Sequence, residues 1–179
     1  QERLGLSWAW KDSLQEINVL GSYTDFRSEN ISDFPGRFEG RSWTGDVTYR
    51  RTLIPGLYGL AGINVFQDKA DLEATEEFTV VDPYLNVVWT ADFGFNLNAG
   101  VRLNMHSTYG NKGVYQVNPS YAYRFRKGYV KLLGSWATAY ITPSLAQLYG
   151  AFGANPSLQP ESNTTLEGGL ELGLERGIR

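Results

Sequence analysis

The stretch Phe93–His106, FGFNLNAGVRLNMH, decides the fold class because apolar and other residues alternate along its whole length. Its apolar members are Phe93, Phe95, Leu97, Ala99, Val101, Leu103 and Met105. A period of two places them on one face of a β-strand. At about 3.3 Å per residue the stretch would reach about 40 Å, which is enough to cross a bilayer while tilted.

The same alternation recurs along the chain, while apolar residues never repeat for long at the helical spacing. We therefore predict an all-β chain of nine antiparallel, up-and-down strands. The predicted strands are 3–10, 16–25, 41–51, 57–67, 78–89, 93–106, 114–125, 129–140 and 162–175. The fourth has large apolar side chains on both faces, and Pro83 and Pro119 weaken their strands because proline lacks the N–H that a ladder needs.

The predicted connections alternate in length. Short ones (11–15, 52–56, 90–92 and 126–128) would lie at one end of the sheet. Longer ones (26–40, 68–77, 107–113 and 141–161) would lie at the other. Tight turns at one end and long loops at the other are typical of outer-membrane barrels.

Aromatic residues lie near both ends of the predicted strands. One group is next to the short turns: Trp10, Tyr49, Trp89, Phe93, Phe125 and Tyr129. The other is toward the longer loops: Trp43, Tyr115, Trp136 and Tyr140. Two aromatic belts at two depths indicate two membrane interfaces. We predict a transmembrane β-barrel, of which the nine strands form part.

Composition excludes several classes of function. The formal net charge is −3 and the basic residues are scattered, so nothing indicates nucleic-acid binding. There is no cysteine and only one histidine, so we expect no thiol chemistry, no resident metal and no cofactor. Apolar runs are far shorter than the ~18 residues of a spanning helix. No constellation of acid, base and nucleophile predicts an enzyme.

Two groups of residues are candidate sites. The acidic residues of 68–77 could bind calcium through oxygen atoms, but their spacing matches no defined calcium loop, and we expect a solvated loop. His106, with Arg102 and Tyr109 nearby in sequence, has no carboxylate partner placed by spacing. A histidine with satisfied hydrogen bonds, or one facing solvent, is the prediction there.

The longest connection resembles a known family. Residues 140–162, YITPSLAQLYGAFGANPSLQPES, resemble a segment of TonB-dependent outer-membrane receptors. The matching residues are Pro143, Ser144, Leu145, Gln147, Leu148, Tyr149, Gly153, Asn155, Pro156, Leu158, Pro160 and Glu161. The run 97–102 and the run 117–121 resemble recurring strand motifs of the same family. Ala154, between Gly153 and Asn155, departs from the pattern of the vitamin B12 receptors.

The resemblance implies a receptor in the bacterial outer membrane. Such receptors have a 22-stranded barrel, an N-terminal plug inside it and a short segment that engages TonB. Neither the plug nor that segment is recognisable here, and nine is an odd number of strands. We therefore expect residues 1–179 to be part of the barrel. The implied partners are outer-membrane lipid, a nutrient complex (cobalamin or a ferric siderophore), and TonB through the N-terminal region of the parent protein.

Ligand contacts, if the resemblance holds, are expected in the loops 26–40 and 141–161. The candidate residues are Phe34, Arg37, Tyr149, Phe152 and Asn155. Two alternatives stay open. One is a soluble ligand-binding β-barrel, in which Leu97 and Val101 would face the interior. The other is a small complete outer-membrane barrel, which would need an even number of strands.

Overall fold

The computed structural model of the chain describes residues 1–30, 36–71, 75–150 and 153–174, with only the backbone described at residues 30 and 36–38. This part of the chain contains nine strands and one short helix. The strands are β1 (Glu2–Lys11), β2 (Gln15–Asn30), β3 (Gly36–Ile54), β4 (Leu57–Asp71), β5 (Thr75–Thr90), β6 (Phe95–His106), β7 (Gly110–Phe125), β8 (Gly128–Ile141) and β9 (Glu161–Leu174). The helix α1 (Leu145–Tyr149) lies between β8 and β9.

The nine strands form one antiparallel sheet in sequence order, and each strand pairs with the next. This confirms the predicted all-β, up-and-down architecture. Within the described residues β1 and β9 each pair on one side only, so the sheet is open. The connections 12–14, 55–56, 91–94 and 126–127 lie at one end of the sheet, which we call the turn end. The opposite end is the loop end.

The two faces of the sheet differ in chemistry. One face, which we call the outer face, carries exposed apolar side chains such as Leu6 (79% exposed), Val101 (57%) and Leu166 (82%). The other, the inner face, carries polar side chains that contact one another across strands. Thr48 on β3 and Tyr84 on β5 have their hydroxyl oxygens 2.8 Å apart, although β4 lies between these strands. This contact spans the inner face of β4. Because α1 begins only four residues after β8 and also contacts β4, the sheet curves toward its inner face.

Aromatic side chains flank the apolar part of the outer face. At the turn end Trp89 packs edge-on against Phe93 and Phe95, with ring centroids 6.1 and 5.5 Å apart. Toward the loop end, Tyr23 packs on Trp43 at 4.7 Å, and Tyr115 on Trp136 at 5.2 Å. The register places these strand residues on the outer face. One aromatic residue that the sequence predicts for a belt faces the other way.

Tyr129 is that exception. It was predicted to belong to the turn-end belt, but its hydroxyl donates a hydrogen bond to Glu171. Glu171 pairs with Lys131, which alternates with the outer-face residues Val130 and Leu132. Tyr129 therefore faces inward, because it lies one residue from Val130 and three from Leu132, and successive residues of a strand point to opposite faces.

The two prolines occur within strands without breaking the sheet. Pro83 pairs with Ile63 on β4, but the β5–β6 ladder passes from Val81 directly to Tyr84. Pro119 pairs with Leu97 on β6, and the β7–β8 ladder likewise lacks a pair at this position. Each proline thus meets a gap in one ladder, where no N–H is required.

The prediction of long loops at 26–40 and 68–77 is wrong. β2 continues to Asn30 and β3 begins at Gly36, while β4 continues to Asp71 and β5 begins at Thr75. The two hairpins extend beyond the apolar band as regular, paired sheet. In these hairpins the outer residues are charged and the inner residues are apolar, which reverses the pattern of apolar outer and polar inner residues. Because of this reversal, the sequence indicates a loop where the strand continues.

Among the described residues, the longest connection joins β8 to β9; we call its described parts, 142–150 and 153–160, the strap. Ser144 starts its helix as an N-cap: its hydroxyl accepts from the Gln147 N–H, and the Gln147 side chain accepts from the Ser144 N–H at 2.9 Å. This reciprocal pair satisfies two backbone donors at the start of the helix. Within the described residues no helix is long and apolar enough to span a membrane.

Candidate functional site

The strap folds over the inner face of the sheet. Although α1 follows β8, it contacts β4, four strands away in the sheet. At about 4.8 Å between neighbouring strands, this displacement is about 19 Å along the sheet. The strap therefore crosses the loop-end opening of the curved sheet instead of joining β8 to β9 by the shortest path.

An apolar cluster anchors the strap. Leu145 (3% exposed) and Leu148 (4%) are buried, and Leu145 belongs to one cluster with Ala70, Phe78 and Val80. Phe66 and Tyr149 pack against this cluster from β4 and from the helix. Burying a leucine side chain stabilises by about 1.5–3 kcal/mol, so the two leucines contribute favourably to the docking of the helix.

A second anchor joins the strap to the turn between β6 and β7. The Tyr109 hydroxyl donates to the backbone oxygen of Leu158, at 3.3 Å. Burial raises the pKa of Tyr109, and the hydroxyls of Tyr149 and Tyr140 raise it further. Tyr109 thus remains a neutral donor throughout the physiological pH range.

His106 lies beneath this anchor. It is 4% exposed, and its ring packs against Phe78 and Tyr109 with centroids 4.7 and 4.9 Å apart. Its Nδ1 accepts from the backbone N–H groups of Thr108 (3.0 Å) and Tyr109 (3.4 Å), so the proton of the neutral ring lies on Nε2. Nε2 is buried without a hydrogen-bond partner among the described residues. The predicted satisfied histidine is therefore satisfied at one nitrogen.

Below the strap, a polar network covers the inner face of β3–β6. The Tyr84 hydroxyl contacts Thr48 at 2.8 Å and donates to Asp46 at 3.4 Å. The Arg102 guanidinium lies over the Tyr84 ring, 5.4 Å from its centroid, and 3.9 Å from the Asp82 carboxylate. Asn104 donates to Asp82 at 2.9 Å. These contacts hold Tyr84 and Arg102 side by side on the wall.

A cleft opens next to Arg102. It has a volume of about 250 Å³, and the inner-face side chains that line it include Tyr84, Asn86, Arg102 and Gln116. The Asn86 side-chain oxygen is buried without a hydrogen-bond partner in the described part of the chain. The cleft thus offers a guanidinium, a ring and amide groups to a polar organic ligand.

Gly62 makes the position of Tyr84 possible. A Cβ at residue 62 would lie 2.4 Å from the Tyr84 ring and 2.7 Å from the Val47 backbone oxygen. Only glycine lets the tyrosine lie flat over β4 and reach Asp46 on β3. The arrangement therefore depends on a residue that carries no functional group of its own.

The predicted ligand candidates are only partly assembled by the fold. Tyr149 packs on the apolar cluster, and Asn155 is exposed, its side-chain oxygen accepting from the Ser157 N–H at 3.0 Å in the Asn-Pro turn. Phe34 and Phe152 lie outside the described residues, and Arg37 lies in β3 with only its backbone described. Ligand binding by these five residues stays a prediction.

Sequence reasoning missed the inner-wall residues Tyr84, Arg102, Asn86 and Gln116. Each lies at a polar-face position of a predicted strand, so the alternation alone could have placed it on the inner wall. Their convergence on one cleft depends on the register of two strand pairs, β5–β6 and β6–β7. No spacing in the sequence encodes that register.

Asp68, Asp71 and Glu77 are each engaged by a neighbouring side chain instead of converging on one point. Asp68 accepts from Ser42 at 2.7 Å, Asp71 lies 3.7 Å from Arg41, and Glu77 lies 3.9 Å from Lys69. Across the described ranges, no three histidine or carboxylate residues are grouped as metal ligands. The expected solvated loop is instead strand for all but residues 72–74, which lie outside the described residues.

Two comparisons with known proteins agree with this architecture. The family model described as TonB dependent receptor-like, beta-barrel matches residues 3–178. The solved structure of "Copper transporter OprC" superposes with a TM-score of 0.67 at 14% sequence identity, covering 94% of this chain and 35% of that one. The chain thus spans about a third of the length of this structural relative, and the likeness at this identity concerns the fold.

The apolar outer face, the two aromatic belts and the family match exclude the soluble barrel alternative, because Leu97 and Val101 face outward. The outer face is the lipid-facing surface of a bacterial outer-membrane protein. The chain belongs to the TonB-dependent receptor-like β-barrel family.

Proposed function

We propose that this chain forms part of the barrel wall of a receptor that takes up a nutrient complex across the outer membrane with energy relayed by TonB. In this proposal the plug and the remaining strands belong to the parent protein outside residues 1–179. The observation that carries it is the strap, which crosses the loop-end opening above a polar wall. A ligand entering from outside would pass the strap before reaching that wall.

The chemistry of the wall supports an organic, oxygen-rich ligand. The planar guanidinium group of Arg102 can donate two parallel hydrogen bonds to a carboxylate or phosphate group. The side-chain amides of Asn86 and Gln116 both donate and accept hydrogen bonds. Tyr84 offers a ring face. We propose a ferric siderophore or cobalamin as the ligand, because both carry carbonyl, amide or anionic oxygen atoms. Receptor function of this kind needs no catalytic group.

The test uses the parent protein, purified and also expressed in cells with and without TonB. Three probes are offered separately: a ferric siderophore, cyanocobalamin and Cu²⁺, the last because the structural relative is named a copper transporter. We expect binding of one organic probe and its uptake only in cells that have TonB. Uptake that is equal without TonB would contradict energy coupling, and binding of Cu²⁺ alone would contradict the organic ligand.

Two variants locate the site. Arg102→Gln is expected to weaken binding of the organic probe by about 10-fold or more, because a hydrogen bond to a charged group contributes about 1.5–3 kcal/mol. Lys131→Gln is the matched control, since it removes the same charge from the inner face near the turn end. Equal affinity of both variants for the organic probe would show that the probe does not bind at the cleft.

A further inference from the structure

His106 contacts both anchors that hold the strap. Its ring packs on Phe78, a member of the apolar cluster that holds α1, with ring centroids 4.7 Å apart. The ring also packs on Tyr109 at 4.9 Å, and the Tyr109 hydroxyl donates to the backbone oxygen of Leu158. A change in the state of this one ring therefore reaches both ends of the docked strap.

The Nδ1 atom of His106 supports the turn between β6 and β7. It accepts hydrogen bonds from the backbone N–H groups of Thr108 and Tyr109. Asparagine side chains commonly make such bonds in turns, and their amide oxygen does not titrate. An imidazole accepts at Nδ1 only while it is neutral, because protonation places a hydrogen on this atom. Two backbone N–H groups would then face a third donor, and the turn would lose its support.

The charged groups around His106 do not favour a protonated ring. From β5 the Asp82 carboxylate faces the ring, but Arg102 already lies 3.9 Å from this carboxylate. From β7, Lys112 lies over the Tyr140 ring, 6.0 Å from its centroid, and adds a further positive charge to the inner face. In the described part of the chain, none of the carboxylates forms an ion pair with His106.

Burial is the larger influence on the ring. His106 ends β6, well beyond Val101, which is opposite Tyr115 of the loop-end aromatic belt, so it lies outside the membrane-spanning part. Burial lowers the pKa of His106 below its usual value of 6.5, and the Asp82 carboxylate opposes this shift only partly. From α1, the Tyr149 phenol is a neutral group. A ring that regains water when the strap leaves binds a proton more readily than the docked ring does.

We propose that His106 makes the docking of the strap sensitive to acid. The neutral ring holds the β6–β7 turn, and this turn holds Tyr109 against the strap. Protonation of the ring removes that support, and the strap leaves the loop-end opening. The consequence for ligand access rests on the proposed function, whereas the docking of the strap can be measured without ligand or TonB.

The sign of the pH dependence follows from the lowered pKa of the docked ring. Docking is fully stable above about pH 6.5, and this stability is lost as the pH falls toward the lower docked pKa. One proton taken up preferentially by the undocked form raises the ratio of undocked to docked strap by about 10-fold between pH 7.5 and pH 5.5.

The experiment follows the strap of the parent protein in detergent micelles, with no nutrient probe added. A spin label on Ser157→Cys measures the ratio of mobile to immobile strap. We expect the rise of about 10-fold to begin near pH 6.5 and to reverse when the pH is restored. A label on Ser13→Cys, at the turn end, should keep the same mobility throughout, which excludes general unfolding. A rise that begins only below about pH 4.5, where carboxylates titrate, would overturn the proposal.

Two variants assign the response to a residue. His106→Asn places an oxygen acceptor near the same two N–H groups and does not titrate, so the ratio should be the same at both pH values. Asp82→Asn removes the carboxylate that faces the ring, and the rise should persist in this variant. An equal rise in His106→Asn, or no rise in the unsubstituted protein, would overturn the proposal. A rise that is lost only in Asp82→Asn would assign the response to Asp82 instead.

Discussion

The membrane band and the loop-end hairpins use the same backbone with opposite chemistry. On β5 the outer side chains Leu85 and Val87 are apolar and the inner ones, Tyr84 and Asn86, are polar. Farther along the same strand, Glu77 is outside and Phe78 is inside, where it is buried. The pairing continues without a shift in register between the two regions. The polarity of each face therefore follows the environment on the outer side of the sheet. It does not follow from the backbone pairing, which is the same in both regions.

The largest expected effect comes from placing a charge on the outer face of the membrane band. Val101→Arg should destabilise the parent protein in vesicles by about 2–4 kcal/mol, because the guanidinium would be moved into hydrocarbon. Urea unfolding followed by tryptophan fluorescence measures this loss. Thr79→Arg, in the same cross-strand row as the Tyr23–Trp43 pair, is the interface control and should change stability by less than about 1 kcal/mol. Equal losses in the two variants would remove the distinction between the regions.

The next effect tests the inner core of the hairpins. Leu145→Ala should weaken docking of the strap by about 2–3 kcal/mol, because it removes a buried member of the cluster that contains Ala70, Phe78 and Val80. Hydrogen exchange of residues 144–150 measures the free energy of local opening. Ser157→Ala, in the exposed part of the same strap, should leave exchange unchanged. Unchanged protection in Leu145→Ala would show that the cluster does not anchor the strap.

A smaller effect tests the polar inner wall of the membrane band. Gly62→Ala should cost about 1–2 kcal/mol, because its Cβ would collide with Tyr84 and with the Val47 carbonyl. It should also weaken probe binding at the cleft, since Tyr84 lines it. Gly45→Ala is a matched control on the neighbouring strand, where an added Cβ meets nothing within 4 Å. A stable Gly62→Ala variant with normal binding would contradict the proposed support of Tyr84 by Gly62.

The smallest effect concerns the Tyr109 anchor. Tyr109→Phe should loosen the strap by about 0.5–1.5 kcal/mol at neutral pH, through loss of one hydrogen bond. Because the pKa of Tyr109 is raised above its usual value of 10.0, the neutral phenol is favoured in the docked strap. Its stabilisation is fully present below about pH 10 and is lost as the pH rises through the higher folded pKa.

A spin label attached to the Ser157→Cys variant measures the mobility of the strap directly. The chain contains no other cysteine that the label could modify. Label mobility should rise above about pH 10 when Tyr109 is present. In the Tyr109→Phe background mobility should be slightly higher at pH 7 and should show no step there. The same step in both proteins would assign the transition to another group.

Within the membrane band, the sequence was a reliable guide. The stretch 93–106 has one apolar and one polar face because lipid and the wet interior impose different solvents on alternate residues. All nine predicted strands are present in the described sheet. The prediction failed where the outer solvent changes, at Tyr23 and Trp43, because beyond them charged and apolar residues exchange faces and the local pattern resembles a loop.

The number, direction and membrane-facing side of the strands follow from the sequence, since alternation is local and each strand carries its own signal. Its strap motif also indicated the family that the comparison shows. The three-dimensional structure was needed to show that α1 crosses to β4, that Gly62 makes room for Tyr84, and that Asp25, Arg41 and Lys69 lie opposite one another. Each of these depends on strand register and sheet curvature. Both arise from hydrogen bonds and packing between segments far apart in the chain, and no window of the sequence contains them.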